Sequence, residues 1–226
     1  MVHTSSVLSG TYEARRAAAL SGVPVSTVYD WARKEFIVPS VSRTREMLWS
    51  YADLMSLRIA YWLRHPKDAG EDVLPASPMS EVRRAVDRVH RMGIDLWAVE
   101  QGRHKTPLRV DSEGHIWIVG ESEITSPHGQ RSIEGTLDLL GPFRYEGGVR
   151  GPDLVIPRPH LRIVPGKLSG EPHLEHSRIS TLTLAALSDR GLSVSAIADM
   201  YPGQSEEAIS EAIELESDLG AISRAA

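Results

Sequence analysis

Apolar positions in the first quarter of the chain recur at helical spacing, break at a glycine, and recur again. Tyr12 to Leu20 predicts one helix and Val25 to Lys34 a second, with Pro24 near the first turn, where its missing N–H costs nothing. Ala18 stands where the two helices would touch, and only a small side chain there allows close approach. Gly22 falls where the chain must turn and can take the positive φ such a turn needs. Val28 and Trp31 lie one helical turn apart on the second helix. This is the spacing of a helix-turn-helix, and a second helix of about 15 Å suits a major groove roughly 12 Å wide.

Phe36, Ile37 and Val38 before Pro39, then Ser40 to Arg45, then Met47 to Trp49, predict two short strands around a polar loop, a wing. Ser50 caps a helix from Tyr51 to Arg64 whose apolar surface comes from Leu54, Leu57, Ile59, Tyr61 and Trp62. Asp53 sits in its first turn, where the helix dipole favours a carboxylate. Pro66, Gly70, Pro75 and Pro78 punctuate a linker. Ser80 then caps a helix to Met92 with Val82, Val86 and Val89 inward and Gly93 beyond its end.

From Ile94 the period changes to two. Leu108 to Val110 and His115 to Val119 flank Asp111-Ser112-Glu113-Gly114, a hairpin signal, and Leu137 to Leu140 adds a strand or short helix. Pro157 to Pro172 reads as extended. Three compact helices follow, Thr181 to Arg190, Ser193 to Met200 and Ser205 to Leu219, with Ser193 and Ser205 as caps and Leu184, Leu187, Ile197, Ile209, Ile213 and Leu219 as a shared core. The expected class is mainly α with a small β region (α+β). A winged helix-turn-helix (1–65) and a linker (66–78) precede a helix plus β-hairpin-containing middle region (79–157) and a C-terminal trihelical, helix-turn-helix-like domain (158–226).

Composition sharpens this. With no cysteine there is no disulfide or thiolate metal site. No segment approaches the roughly 18 apolar residues of a membrane span, and no signal-like N-terminus is seen, so the expectation is a protein of the cytoplasm, with no membrane partner. Charge is unevenly placed. Residues 1–92 carry 13 Lys and Arg against 10 Asp and Glu (+3), residues 93–170 carry 9 against 10 (-1), and residues 171–226 carry 3 against 10 (-7). The N-terminal part suits phosphates; the C-terminal part suits a basic protein partner or simply a solvated acidic face.

Arg33, Lys34, Arg43 and Arg45 form the basic end of the second helix and the loop of the wing, where they would neutralise phosphates. Ser26, Thr27 and Tyr29 can bond to phosphates or base edges, while Asp30 repels phosphate unless it accepts from a cytosine amine. Arg83, Arg84, Arg88 and Arg91 are interleaved with Glu81 and Asp87, which reads as ordinary surface pairing before it reads as a partner surface. His173 and His176, near Glu171 and Glu175, lack the converging set a metal needs. Trp97 and Trp117 read as core or interface aromatics. No nucleophile elbow, P-loop, metalloprotease helix or dinucleotide fingerprint is present, so neither enzyme activity nor a cofactor is expected.

Ala18-Ala19-Leu20-Ser21-Gly22-Val23, Phe36-Ile37-Val38-Pro39 and Trp49-Ser50-Tyr51-Ala52-Asp53-Leu54, in that order, resemble the winged helix-turn-helix of the MerR superfamily. That resemblance implies operator DNA read by Ser26, Thr27, Tyr29 and Arg33, with Arg43 and Arg45 on phosphate. The linker prolines interrupt the long coiled coil typical of its activators. A second stretch is similar to a short domain of unknown function widespread in bacterial antitoxins. It runs through Gly166-Lys167-Leu168-Ser169-Gly170-Glu171-Pro172-His173-Leu174, Arg178-Ile179-Ser180-Thr181 and Gly191 to Pro202, with His176 in place of a usual glycine. Together they resemble VapB-type antitoxins. The resemblance implies a homodimer on operator DNA that represses its own operon and inhibits a PIN-like ribonuclease toxin, with Arg162 and Arg178 as candidates to enter the acidic, metal-holding cleft of that toxin. A ligand-responsive MerR-like regulator with an apolar effector pocket in the middle region is the alternative, and a hydrolase the weakest reading.

Overall fold

The computed structural model describes residues 10–68, 73–93, 96–100, 103–118, 143–145 and 148–224. They begin with β1 (Tyr12–Glu13), α1 (Ala14–Ser21), α2 (Val25–Arg33), β2 (Leu48–Trp49), α3 (Tyr51–Leu63), β3 (Lys67–Asp68) and β4 (Val73–Leu74). α4 (Met79–Arg91) precedes β5 (Ala98–Glu100), β6 (Arg103–Lys105), β7 (Leu108–Val110), β8 (Ile116–Ile118), β9 (Phe143–Tyr145) and β10 (Gly148–Arg150). β11 (Leu161–Arg162) and β12 (His173–Leu174) lead into α5 (Thr181–Asp189), α6 (Val194–Met200) and α7 (Glu206–Arg224). The fold is α+β, and its described strands pair two at a time, each pair antiparallel. No described helix is long and apolar enough to cross a membrane. The described residues within Met1–Leu54 and Gly151–Ala226 form one compact unit and those within Met55–Arg150 another.

In the first unit α1 and α2 form the expected helix-turn-helix. Ala18 is buried at the contact, and Gly22 turns the chain at φ 75 with the Val23 N–H donating to the Ala18 carbonyl at 3.0 Å. Val28 is fully buried, worth roughly 1.5–3 kcal/mol over an exposed position. Glu35, not a glycine, takes the left-handed position after α2 (φ 50), so that the Phe36 N–H closes on the Trp31 carbonyl at 2.9 Å and Phe36 meets Trp31 edge-on at 5.3 Å.

The expected strand at Phe36–Val38 does not form. Ile37 is buried, Pro39 has no N–H to offer, and β2 takes β1 as its partner instead, with Tyr12 opposite Trp49 and Glu13 opposite Leu48. The polar loop of the wing is closed by one bridge, Ser42 to Leu48. Asp53 fastens the base of this loop. Its Oδ2 accepts from the Ser50 N–H (2.8 Å), the Ser40 N–H (2.9 Å) and the Ser40 hydroxyl (2.8 Å), while the Asp53 N–H donates back to Ser50 Oγ at 3.2 Å. The residue read as a dipole partner is thus half of a reciprocal cap on α3 that also holds the wing.

The rest of this unit is C-terminal. α7 packs against α5, α6 and α1. Ser180, Ser193 and Ser205 each accept from the backbone N–H three residues on, at 3.2, 3.2 and 3.1 Å, which explains where the three helices start. Leu184, Ile197, Ile209 and Leu219 are buried as expected; Leu187 and Ile213 are only half-buried, and Ala212 and Leu215 fill the core in their stead. β11 and β12 pair Leu161 with Leu174. Ahead of β12, Leu168 (φ 51), Ser169 (φ 54) and Gly170 (φ 83) are successively left-handed.

In the second unit, α4 starts from Pro78 as N-cap, so Ser80 lies inside the helix rather than capping it. Val82, Ala85, Val86 and Val89 form its buried face. The β7–β8 hairpin has the expected turn. Asp111 Oδ1 accepts from the Glu113 and His115 N–H groups, both at 2.9 Å, Gly114 takes φ 85, and Trp117 Nε1 donates to Asp111 Oδ2 at 2.9 Å. Within the span read as a linker, β3 and β4 pair. The strand or helix expected at Leu137–Leu140 lies outside the described residues, as does the start of the strand expected from Ile94.

Candidate nucleic-acid interface

Helical periodicity puts Ser26, Tyr29, Asp30 and Arg33 on one side of α2, opposite the buried Val28 and Trp31. Ser26 and Tyr29 are exposed and Thr27, on the flank, is half-buried. The arginine side chain of Arg33 is 78% exposed and the Lys34 side chain just beyond it 58%. Both cations pair with Asp30, Arg33 Nη2 to Oδ1 and Lys34 Nζ to Oδ2, each at 2.7 Å. The hydrogen bonds from Lys34 and Arg33 hold the Asp30 carboxyl below its ordinary range. The trio therefore carries one net positive charge. The carboxylate that would repel a phosphate also aims the two cations, leaving their remaining donors in solvent.

Arg43 and Arg45 are both exposed in the loop closed by the Ser42–Leu48 bridge. Arg43 Nε reaches the Pro39 carbonyl at 3.4 Å; Arg45 has no hydrogen bond or ion pair among the described residues. Six of the seven expected DNA contacts are thus exposed on α2, its C-terminal edge or the wing loop, and Thr27 is partly so.

The pattern along the sequence gave no hint of what positions this helix-turn-helix. Arg16, on α1, is 14% exposed and forks between two carboxylates. Nε and Nη2 donate to Glu171 Oε2 at 2.9 and 2.6 Å, and Nη1 and Nη2 to the oxygens of Glu216 on α7 at 2.7 and 2.9 Å. Glu216 also accepts from the Thr181 hydroxyl at the start of α5. Burial by itself lowers the Arg16 pKa, but the bonds and charges of Glu216 and Glu171 outweigh it and the net shift is upward. Just ahead of α1, the Thr11 N–H donates to the Ser169 carbonyl and the Tyr12 hydroxyl to the Gly170 carbonyl, both at 2.9 Å. Burial, then the charge of Glu171, drives the Tyr12 phenol far above its ordinary pKa, so it stays a donor.

The two arginines proposed for a toxin cleft differ. Arg162 is engaged within the chain, with Nη2 on Glu175 Oε1 at 2.5 Å and Nη1 on the Pro159 and Leu161 carbonyls at 2.8 and 2.7 Å. Arg178 is exposed, with no such bond among the described residues. His173 is buried with Nδ1 3.0 Å from the Glu171 carbonyl, and burial holds its pKa below the ordinary value. His176 is exposed in a left-handed conformation (φ 58), at the position where the resembled domain has glycine. Among the described residues no His, Asp and Glu set could hold a metal.

Residues 162–215 match the model of DUF433, a protein family of unknown function. The matched segment begins at Arg162 in β11 and runs through the left-handed turn, the Glu171 contact and α5–α6 to Leu215 in α7. Among solved structures the chain is similar to Rv2018 from Mycobacterium tuberculosis, at 13% identity over 89% of this chain and 96% of that one, with a TM-score of 0.44. No curated protein matches the chain.

Proposed function

We propose that this chain is the antitoxin of a VapBC-like toxin-antitoxin pair, working in the cytoplasm. It binds operator DNA as a homodimer through α1 and α2 to repress its own operon, and it covers a PIN-like ribonuclease. It catalyses no reaction and needs no cofactor. The observation that carries the DNA arm is the outward face of α2, where Ser26, Tyr29 and Arg33 are exposed over a buried Val28–Trp31 seam behind a left-handed glycine turn. The neutralising arm is supported by the DUF433 match over the segment that resembles antitoxin-associated domains. Arg178, exposed within that segment, is the better candidate of the two arginines to enter a carboxylate-lined cleft.

Co-expression with the adjacent reading frame tests the whole. A nuclease that co-purifies with the chain and is silent in the complex is the expected result; a neighbour that is no nuclease, or one that does not co-purify, overturns it. For the DNA arm, Arg33→Ala with Arg45→Ala is expected to flatten the salt dependence of operator affinity by about two units, close to one per phosphate contact, and to leave toxin inhibition intact. Equal loss of both activities places the DNA surface elsewhere.

A further inference from the structure

α4 carries a cationic face that the helix-turn-helix leaves unexplained. Arg84, Arg88 and Arg91 fall at i, i+4 and i+7, hence along one stripe, opposite the buried Val82, Ala85, Val86 and Val89. All three are exposed. The sequence also places Glu81 and Asp87 on this helix, and ordinary surface pairing would neutralise the stripe with them. The structure does not use them so. Glu81 Oε1 instead accepts the Ile116 N–H of the β7–β8 hairpin at 2.9 Å, and Asp87 makes no ion pair among the described residues. Arg84 and Arg91 have no carboxylate partner among the described residues. Their Nε atoms donate to the Ser80 and Asp87 carbonyls, at 3.3 Å each, four residues back on the same helix, which leaves the Nη donors of both guanidiniums in solvent.

What such a stripe binds is limited by what surrounds it. Between Ser80 and Arg91 the exposed positions of the helix are Ser80, Arg84, Asp87, Arg88, His90 and Arg91, with no apolar side chain among them. A protein partner would lack the apolar centre on which a folded interface depends, and exposed ion pairs alone hold proteins together weakly. A nucleic-acid backbone needs no apolar contact, because its affinity comes from released counterions. From Arg84 to Arg91 the helix rises about 10 Å, which sets these two guanidiniums far enough apart to meet two separate phosphates of one strand.

We propose that the Arg84–Arg91 stripe of α4 is a second, sequence-independent contact to the phosphate backbone of duplex DNA. It rests on the DNA-binding reading above and adds a second anchor to it. That anchor sits in the second compact unit, apart from the one that holds the helix-turn-helix.

The test uses the full chain and a duplex of random sequence, with binding measured as a function of salt. Arg84→Gln with Arg91→Gln keeps helix-forming residues on α4 and is expected to lower the salt slope by about two units. Asp87→Asn, which removes the one carboxylate from the stripe, is expected to strengthen binding. A slope and affinity equal to those of the unaltered protein in the double variant overturn the second contact, as does an Asp87→Asn protein that binds no more tightly. Arg33→Ala with Arg45→Ala, measured beside them, separates the two ideas. If that variant alone is unaffected, the reader has been misplaced while the α4 contact stands; if only the α4 variants are unaffected, the reverse holds. An unaltered protein that binds no duplex at about 50 mM salt, where such contacts are strong, removes both.

Discussion

The Arg16 fork gives the sharpest energetic expectation. Replacing Arg16 with Met keeps most of the aliphatic stem but leaves Glu171, 20% exposed, and Glu216, 8% exposed, facing each other without a cation. Breaking a buried ion pair from one side costs about 3–5 kcal/mol; the fractional exposure of Glu171 and of Arg16 itself places this site toward the lower end, about 3 kcal/mol. Measured by urea unfolding, that loss is a large share of the roughly 5–15 kcal/mol that holds a domain folded. It should appear as a lower midpoint with an unchanged slope. Arg16→Lys, whose single ammonium cannot fork between two carboxylates, is expected to fall between. Replacing all three charged residues with Met removes the uncompensated carboxylates and is expected to recover stability to within about 1 kcal/mol of the unaltered chain. Thr181 remains satisfied in that variant, because its hydroxyl also reaches the Pro172 carbonyl at 3.2 Å. A cost below about 1 kcal/mol for Arg16→Met, or a triple variant no better than the single one, refutes the account of α1 held to α7 by a buried charge cluster.

Gly170→Ala puts a side chain in a left-handed conformation, for about 1–2 kcal/mol. Its Cβ would also overlap the Tyr12 hydroxyl, for about 1–3 kcal/mol more in a buried, packed site. On a Tyr12→Phe background the second part should shrink, so a double-mutant cycle that comes out additive sinks the explanation. The two imidazoles of the same segment should titrate in opposite directions. Burial lowers the pKa of His173 below 6.5, so below that pH the unfolded chain takes up a proton the folded chain refuses, and stability falls as pH falls. The bond and charge of Glu211 raise that of His160, so its contribution is present below 6.5 and fades as pH rises through the raised value. Ring-proton NMR across pH 4 to 8 reads both; identical titration curves for the two rings would contradict the assignment.

Elements fixed by nearby residues were legible in the sequence. α5, α6 and α7 start one residue after serines that accept the third backbone N–H onward, and the β7–β8 turn is written in Asp111 and Gly114. The helix-turn-helix was legible for the same reason, since Ala18, Gly22 and Val28 specify a contact within a dozen residues. The wing strand at Phe36–Val38 was misread because strand pairing is a choice between partners. β2 had the edge of β1 available, whereas the segment ending at Pro39 could not complete a ladder. Nothing local announces that Arg16 will meet Glu171 and Glu216, 155 and 200 residues away, or that Tyr12 will close on Gly170. Those contacts decide where α1 sits, and they depend on packing that no periodicity encodes. The seven positions proposed to face DNA were readable as residue types, but the pairing of Asp30 with both Arg33 and Lys34 needed side-chain geometry at i+3 and i+4 to see.

That same geometry revises the meaning of the charge split along the chain. The C-terminal segment, at -7, looked suited to a basic partner. Five of its ten carboxylates are occupied within the chain. Glu171 and Glu216 hold Arg16, Glu175 holds Arg162, Glu211 holds His160 through both its ring and its backbone N–H, and Asp218 holds Arg158 at 2.6 Å. Glu206 and Glu207 stand in the first turn of α7, where the helix dipole favours them whether or not anything binds. Half of the acidity of this segment is therefore an intramolecular complement to cations that sit upstream, and only the other half is left to face solvent or a partner. The arginines still open to other molecules among the described residues include Arg45 in the wing, Arg178 in the segment matched by the DUF433 model, and Arg84 and Arg91 on α4. All four are arginines with free guanidinium donors among the described residues, the group best shaped to grip phosphate or carboxylate oxygens from outside. A partner held by these four arginines is therefore an anion, and three of them, Arg45, Arg84 and Arg91, lie within residues 1–92, the part whose net charge of +3 already suited phosphates.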